Sequence, residues 1–396
     1  IFNDTFSGCL SESCGLCPAH QQHTCLPVIE ITNACDMRCP VCLKNDKTKF
    51  EMNIIDFGKI IDNLFECEGE SPVINLSGGE PMLHPEIEKI FEICNNKNIL
   101  QTTVSTNGKL IFRKKELREK IKDYDILIAL QFDGFNDDAT KKFRGENVIS
   151  WKLKLIDLFE KEQIKYSLNA TVAKGINDNE IPRITEFFFK SSAKSLMFQP
   201  AAFTGKCAAL LNETNRITIP DVIGKCAEVP QIKKSDFNPL PCSHFSCFAL
   251  AYYFIINASE FYSMKDFFGI EDYLNVISNK TLPGLDKTGF EIIKNKIYEF
   301  WSASDSANDD RRILERIKSI LKKMNAQEFS SKNAFSAGIE SMKAIFIHQF
   351  MDAYNVDTGR LMKCCNHYPQ ADGRLLPMCA ENIFGNRKDN ERYKNR

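Results

Sequence analysis

From residue 28 to about 200, short β-like runs alternate with stretches whose apolar residues recur every three or four positions. The runs are VIEIT (28–32), VINLS (73–77), LQTTVS (100–105), DILIALQF (125–132), YSLNATV (166–172) and SLMFQP (195–200). Between them, IIDFGKIIDNLFE (54–66) and PEIEKIFEICNN (85–96) space Ile, Leu and Phe as one buried helix face requires. Six such βα repeats predict an α/β fold, a partial (β/α)6 TIM-like barrel. In that architecture chemistry sits on the loops after the C-terminal ends of the strands. Residues 1–27 lack periodicity and read as a Cys-rich metal-binding cap, with 28–205 as the core barrel. Residues 206–396 form a C-terminal region expected to be mostly helical. Within it 212–222 and 235–244 read as loops and 248–350 as helical, RRILERIKSILKKM (311–324) most clearly, while the tail from 380 is polar. The chain shows no internal repeat and no low-complexity segment.

Composition narrows the partners. Among 396 residues, 51 Lys and Arg face 52 Asp and Glu, so no global field recruits nucleic acid or an anionic membrane. The longest apolar run, CFALAYYFII (247–256), is too short to cross a bilayer, and no basic segment leading into an apolar stretch stands near Ile1. A soluble, cytoplasmic protein is expected, with no transmembrane segment and at most peripheral membrane contact.

The 16 cysteines change the picture, because clustered thiols in a reducing compartment mean metal more often than disulfide. Cys9, Cys14, Cys17 and Cys25 form one group, Cys35, Cys39 and Cys42 a second, and Cys242, Cys247, Cys364, Cys365 and Cys379 a third. Cys67, Cys94, Cys207 and Cys226 stand alone and read as small buried apolar residues. The C-x3-C-x2-C spacing of the second group supplies three ligands on one loop. That number suits a metal centre with a position left open, such as an iron–sulfur cube with one free iron; the bland alternative is a zinc knuckle that borrows Cys25. One βα unit later stands Ser77-Gly78-Gly79-Glu80-Pro81, where paired glycines allow close backbone approach and the Glu can accept hydrogen bonds from an ammonium group.

Together these segments resemble the radical S-adenosylmethionine (radical SAM) superfamily over residues 28–200. Cys35, Cys39 and Cys42 match its cysteine signature, and Gly78, Gly79, Glu80 and Pro81 its amino-group-binding GGEP motif. The resemblance implies a three-cysteine [4Fe-4S] cluster whose fourth iron takes the amino and carboxylate groups of S-adenosylmethionine. Reductive cleavage then yields a 5'-deoxyadenosyl radical that abstracts hydrogen from an unactivated C–H bond. Before the third cysteine the superfamily commonly has an aromatic residue; Val41 stands here, so adenine must be held elsewhere. Further strand ends fit the same cleft. Ser105, Asn107, Gln131, Asp133, Asn169 and Gln199 are candidates for ribose, carboxylate or substrate, or are ordinary turn caps. Arg144 suits a bidentate salt bridge to the methionyl carboxylate, or is a solvated surface residue.

A finer resemblance lies in residues 14–42, FQPAAFTGK (198–206) and 364–386. These look like the branch containing the archaeal tetraether lipid (macrocyclic archaeol) synthases, often labelled pterin methylases. That branch carries auxiliary clusters and joins two lipid chain termini by a carbon–carbon bond. One or two auxiliary iron–sulfur or iron sites are therefore expected. The third thiol group would supply a four-ligand cluster with one cysteine to spare, and the first group would supply another site. Substrate is less determined. Thirty Phe, with runs such as TEFFFK (185–190) and FYSMKDFF (261–268), line an apolar channel or simply pack a core. No D-x-H-x-x-G segment surrounds any of the six His, which argues against cobalamin-dependent methylation. The expectation is a radical SAM oxidoreductase or C–C bond-forming enzyme acting on a hydrophobic, lipid-like substrate, with ferredoxin or flavodoxin as electron donor. The alternatives are modification of a small heterocycle such as a pterin, and a zinc-binding interaction module.

Overall fold

The structure, a computed structural model, describes residues 21–44, 49–68, 73–97, 99–212, 214–257, 260–277 and 342–385, with Asn295. Cys9, Cys14 and Cys17, the helix expected at 311–324 and most of the tail from 380 lie outside the described residues.

Strands β1 (Leu26–Thr32), β2 (Val73–Gly78), β3 (Gln101–Thr106), β4 (Leu127–Gln131), β5 (Tyr166–Val172) and β6 (Ser195–Pro200) pair in sequence order, each parallel to the next. Helices α1 (Ile54–Glu68), α2 (Ile87–Asn96), α3 (Lys109–Arg113), α4 (Lys115–Asp123), α5 (Asp137–Arg144), α6 (Ile149–Glu162) and α7 (Ile181–Lys190) supply the crossovers. The pattern explains the packing: α1 buries Phe57, Ile60, Ile61 and Leu64, one stripe at helical spacing. On the helix-facing side of the strands stand Ile74, Leu76, Val104, Ile128, Leu130, Leu168 and Leu196, all buried in the main core.

The opposite faces of the same strands behave differently. Interiors of such barrels are ordinarily filled by bulky branched residues. Here the inward positions are Asn75, Thr103, Ser105, Ala129, Ser167, Asn169, Ser195, Met197 and Gln199, too small or too polar to close the space, and a cavity of about 200 Å³ remains.

The C-terminal region extends the sheet in both directions. β7 (Asn238–Pro239), β8 (Phe248–Asn257), β9 (Glu260–Ser263) and β10 (Met342–His348) belong to one flank, where β10 lies parallel to β6 and antiparallel to β8. On the other flank β11 (Asn366–Pro369) runs parallel to β1 and pairs with β12 (Leu375–Pro377). The helical expectation for 248–350 fits α9 (Ile270–Ile277), after α8 (Ile219–Cys226), but not β8 to β10. β8 is buried on both faces for most of its length, so its near-continuous apolar run carries no alternation to reveal a strand. The loop expected over 212–222 gives way at Ile219 to α8, which Thr218 and Asp221 start with a capping box. The Phe-rich runs pack core. Phe189 stacks on Phe261 with ring centroids 3.7 Å apart, and Phe187 on Phe132 at 5.6 Å. Cys94, Cys207 and Cys226 are buried as apolar residues, while Cys67 is half-buried.

Candidate active site

The loop after β1 carries the three cysteines, and its neighbours grip it from both sides. Gly79 N donates to Thr32 O and Glu80 N to Ala34 O, each at 2.7 Å. A Cβ on Gly78 or Gly79 would run into the backbone of Thr32 or of Asn33 and Ala34, so the paired glycines serve this contact between loops. From the other side the loop after β6 donates Lys206 N and Cys207 N to Cys42 O at 2.9 and 3.2 Å. Gly205, in the left-handed region at φ 56°, stands where a Cβ would collide with the Leu43 carbonyl.

These loops enclose a cleft of about 360 Å³ at the C-terminal end of the barrel. It is lined by Cys35, Cys39, Cys42, Gly78, Gly79, Glu80, Ser105, Asn107, Gln131, Arg144, Asn169 and Gln199, all anticipated from the sequence. Pro81 is buried behind it at the start of a 3-10 turn, and Asp133 is buried behind Arg144. Asn75, Ser105, Ala129, Asn169 and Gln199 line both this cleft and the barrel cavity, which are therefore continuous.

Three buried or half-buried arrangements shape the cleft's charge. Glu80 accepts from Thr106 Oγ1 at 2.6 Å, Asn107 N at 2.8 Å and Met82 N at 3.3 Å, yet complete burial pushes its carboxyl up to about 7. Asn107 holds Asp36 through Nδ2 at 2.8 Å and caps Lys109 N through Oδ1 at 2.7 Å, so its side chain ties the cysteine loop to β3. Arg144 lines the cleft and is anchored from behind. Its Nε and Nη2 donate to the two oxygens of Asp133, each at 2.7 Å, and Nη2 also to Thr171 Oγ1 at 3.0 Å. Burial opposes its charge, but Asp133 outweighs burial and holds the guanidinium protonated. Sequence spacing alone could not reveal that the two anticipated residues satisfy each other. Beneath them Lys152 donates to the backbone and side-chain oxygens of Gln131, whose Nε2 donates to Asp133. Burial lowers this lysine to about 7; no sequence pattern marked it.

The thiol chemistry of the loop suits a metal. Packing pushes Cys35 up to about 11 although the residue is exposed, and burial raises Cys42 also. Both are neutral without a cation, and metal ligation would release their protons. Sulfurs around one tetrahedral zinc lie about 3.8 Å apart, given Zn–S bonds of about 2.3 Å. Among the described residues the cleft cysteines are not gathered so closely; one group of three thiols lies within 4.8 Å, and it is Cys25, Cys242 and Cys365. Cys25 lies beside Cys242 and Cys365 and does not complete a zinc knuckle on this loop.

The outlying thiols regroup. Cys25 joins Cys242 at 3.1 Å and Cys365. His23 Nε2 lies 3.8 Å from Cys25 Sγ, while its Nδ1 meets Glu68 Oε2 at 3.2 Å, an arrangement common around metal-binding histidines. Cys247, Cys364, Cys365 and Cys379 line one small pocket, with Arg360 Nε donating to Cys247 Sγ at 3.2 Å. Cys365 stands in both groupings, so the five C-terminal cysteines are neighbours of one another around it. Phe248, His348, Asn366 and Met378 line both that pocket and the barrel cavity.

Residues 29–188 match the Radical SAM superfamily. The chain is 27% identical to the 7,8-dihydro-6-hydroxymethylpterin dimethyltransferase of Methanocaldococcus jannaschii, over 96% of this chain and 81% of that protein. It is also 27% identical to the GTP 3',8-cyclase of Nautilia profundicola, across 40% of this chain and about half (51%) of the cyclase. Among solved structures, Streptococcus suis SuiB bound to its precursor peptide SuiA aligns over 48% of this chain and 42% of that one, at 20% identity and a TM-score of 0.42. Over residues 29–188, then, the chain carries a stretch similar to the radical SAM superfamily, enzymes that work with a [4Fe-4S] cluster and S-adenosylmethionine.

Proposed function

We propose that Cys35, Cys39 and Cys42 hold the [4Fe-4S] cluster, and that the enzyme abstracts hydrogen from a hydrophobic, lipid-like substrate in order to form a carbon–carbon bond. When bound, the cluster and S-adenosylmethionine supply a 5'-deoxyadenosyl radical, with an electron from a ferredoxin- or flavodoxin-type donor. The chain's own residues orient and enclose. Glu80 and the Gly78–Gly79 backbone accept from the cosubstrate's amino group, while Ser105, Gln131, Asn169 and Gln199 offer hydrogen bonds along the rim. Cys25, Cys242 and Cys365, with His23 close by, form one auxiliary iron or iron–sulfur site, and Cys247, Cys364 and Cys379 a second.

One observation carries the substrate reading: the barrel is hollow along its length. Met342 and His348 both border the cavity, six residues or about 20 Å apart along β10. Its wall carries Leu26, Val73, Leu127, Met342, Phe346 and Phe248, with polar side chains both at the deep end, Gln101, Lys194 and Ser195, and where it meets the cleft, Asn75, Ser105, Asn169 and Gln199. An elongated chain fits the length of that space better than a compact heterocycle does.

The pterin reading draws support from the name of the M. jannaschii relative. Incubating the reconstituted enzyme anaerobically with reductant, S-adenosylmethionine and either a long-chain lipid or a reduced pterin separates the two. Lipid-dependent 5'-deoxyadenosine release with a coupled lipid product is expected; release stimulated by the pterin and not by lipid would reject the proposal.

A further inference from the structure

Arg360 carries a buried charge that no carboxylate matches among the described residues. It stands on the short helix Thr358–Met362, which Asp357 starts by accepting from Arg360 N at 3.1 Å. The Arg360 Nη2 donates to Gln349 O at 2.6 Å and Nε to Cys247 Sγ at 3.2 Å. Gln349 N in turn donates to Cys247 O at 2.9 Å, so backbone fixes the guanidinium against this sulfur. The carboxylates on the loop that leads to the helix serve elsewhere: buried Asp352 pairs with Arg216 at 2.7 Å, and Asp357 is exposed.

A buried charge is costly unless something opposes it. Opposite Arg360 stand four thiols, Cys247, Cys364, Cys365 and Cys379, around one pocket. His348 on the same wall is pushed down to about 3 by burial and stays neutral. As thiols the cysteines offer no counter-charge, but as ligands they are thiolates, and those bound to an iron–sulfur cluster outnumber its positive charge. The donor set and the unmatched cation therefore fit the same occupant.

We propose that Arg360 is the counter-charge of an iron–sulfur cluster held in this pocket, a positioning residue that raises the cluster's reduction potential. This rests on the second auxiliary site of the functional reading above. Reduction adds negative charge, and both the fixed guanidinium and its hydrogen bond to Cys247 Sγ favour the more negative state. Phe248, His348, Asn366 and Met378 border this pocket and the barrel cavity alike, so Arg360 sets the potential of the redox centre next to the substrate space.

A redox titration of the reconstituted full chain, followed by electron paramagnetic resonance, tests the assignment; the signal missing from Cys379→Ser identifies the cluster. Arg360→Met should move the midpoint of that signal to lower potential, and Arg360→Lys should return it most of the way to wild type. If Arg360→Met loads no cluster, loading of Arg360→Lys at a near wild-type midpoint supports the same role. An unchanged midpoint in Arg360→Met, equal midpoints in the two variants, or loss of the cluster from both would overturn it. Wild-type iron content and signals in Cys379→Ser would instead overturn the auxiliary site on which this role rests.

Discussion

Arg144 and Asp133 form a two-pronged ion pair, Nε and Nη2 each 2.7 Å from a carboxylate oxygen, in which Asp133 is almost wholly buried and Arg144 nearly so. Removing one partner leaves the other charge buried and uncompensated. Asp133→Asn is expected to destabilise the protein by about 3–5 kcal/mol in urea unfolding. A loss below about 1 kcal/mol, the range of surface pairs, would show that Arg144 finds another partner or reaches solvent.

The grip on the cysteine loop predicts an uneven response to added methyl groups. Gly205→Ala places a Cβ against the Leu43 carbonyl in a left-handed conformation, so the loop must shift. Iron content after reconstitution should fall by more than half while circular dichroism stays near wild type. Gly58→Ala is the control: nothing lies within 4 Å of its Cβ, it sits in α1, and it should stabilise by about 0.5–1 kcal/mol. Full iron loading in Gly205→Ala would contradict the clamp.

Glu80 gives the metal-free protein a pH dependence. Between its ordinary value of 4.5 and about 7, the unfolded chain has released a proton that the folded chain still holds. Stability from this group is present below that window and is lost as pH rises through about 7. Urea midpoints at pH 5 and pH 8 should therefore differ less in Glu80→Gln than in wild type, and an unchanged difference would count against a protonated, buried Glu80.

Regrouping of the outlying thiols is testable by stoichiometry. Cys25→Ser and Cys242→Ser should remove the same metal, with no further loss in the double variant, whereas Cys379→Ser should remove a different one. Additive losses from Cys25 and Cys242 would restore the division into an N-terminal and a C-terminal site.

Much of the barrel was legible in the sequence because its strands alternate. YSLNATV and SLMFQP place apolar residues on one face and polar ones on the other, and both β5 and β6 begin and end where that alternation does. β8 was hidden by burial on both faces, and β10 by the same lack of contrast. At the site, local motifs revealed what each loop carries, but pairings between loops depend on distances that spacing does not encode. Arg144 with Asp133, Asn107 with Asp36, and Cys25 with Cys242 and Cys365 are all of that kind. The inward row of Asn75, Ser105, Asn169 and Gln199 was legible residue by residue, yet the cavity it borders emerges only once the strands curl round it.

The central claim is that three cysteines on one loop leave an iron open to S-adenosylmethionine. Its most direct test is 5'-deoxyadenosine formation by oxygen-protected, reconstituted protein given dithionite and S-adenosylmethionine, compared with Cys39→Ala prepared in the same way. Formation by wild type and its abolition in a folded Cys39→Ala is the expected result. Undiminished formation in that variant would contradict the account.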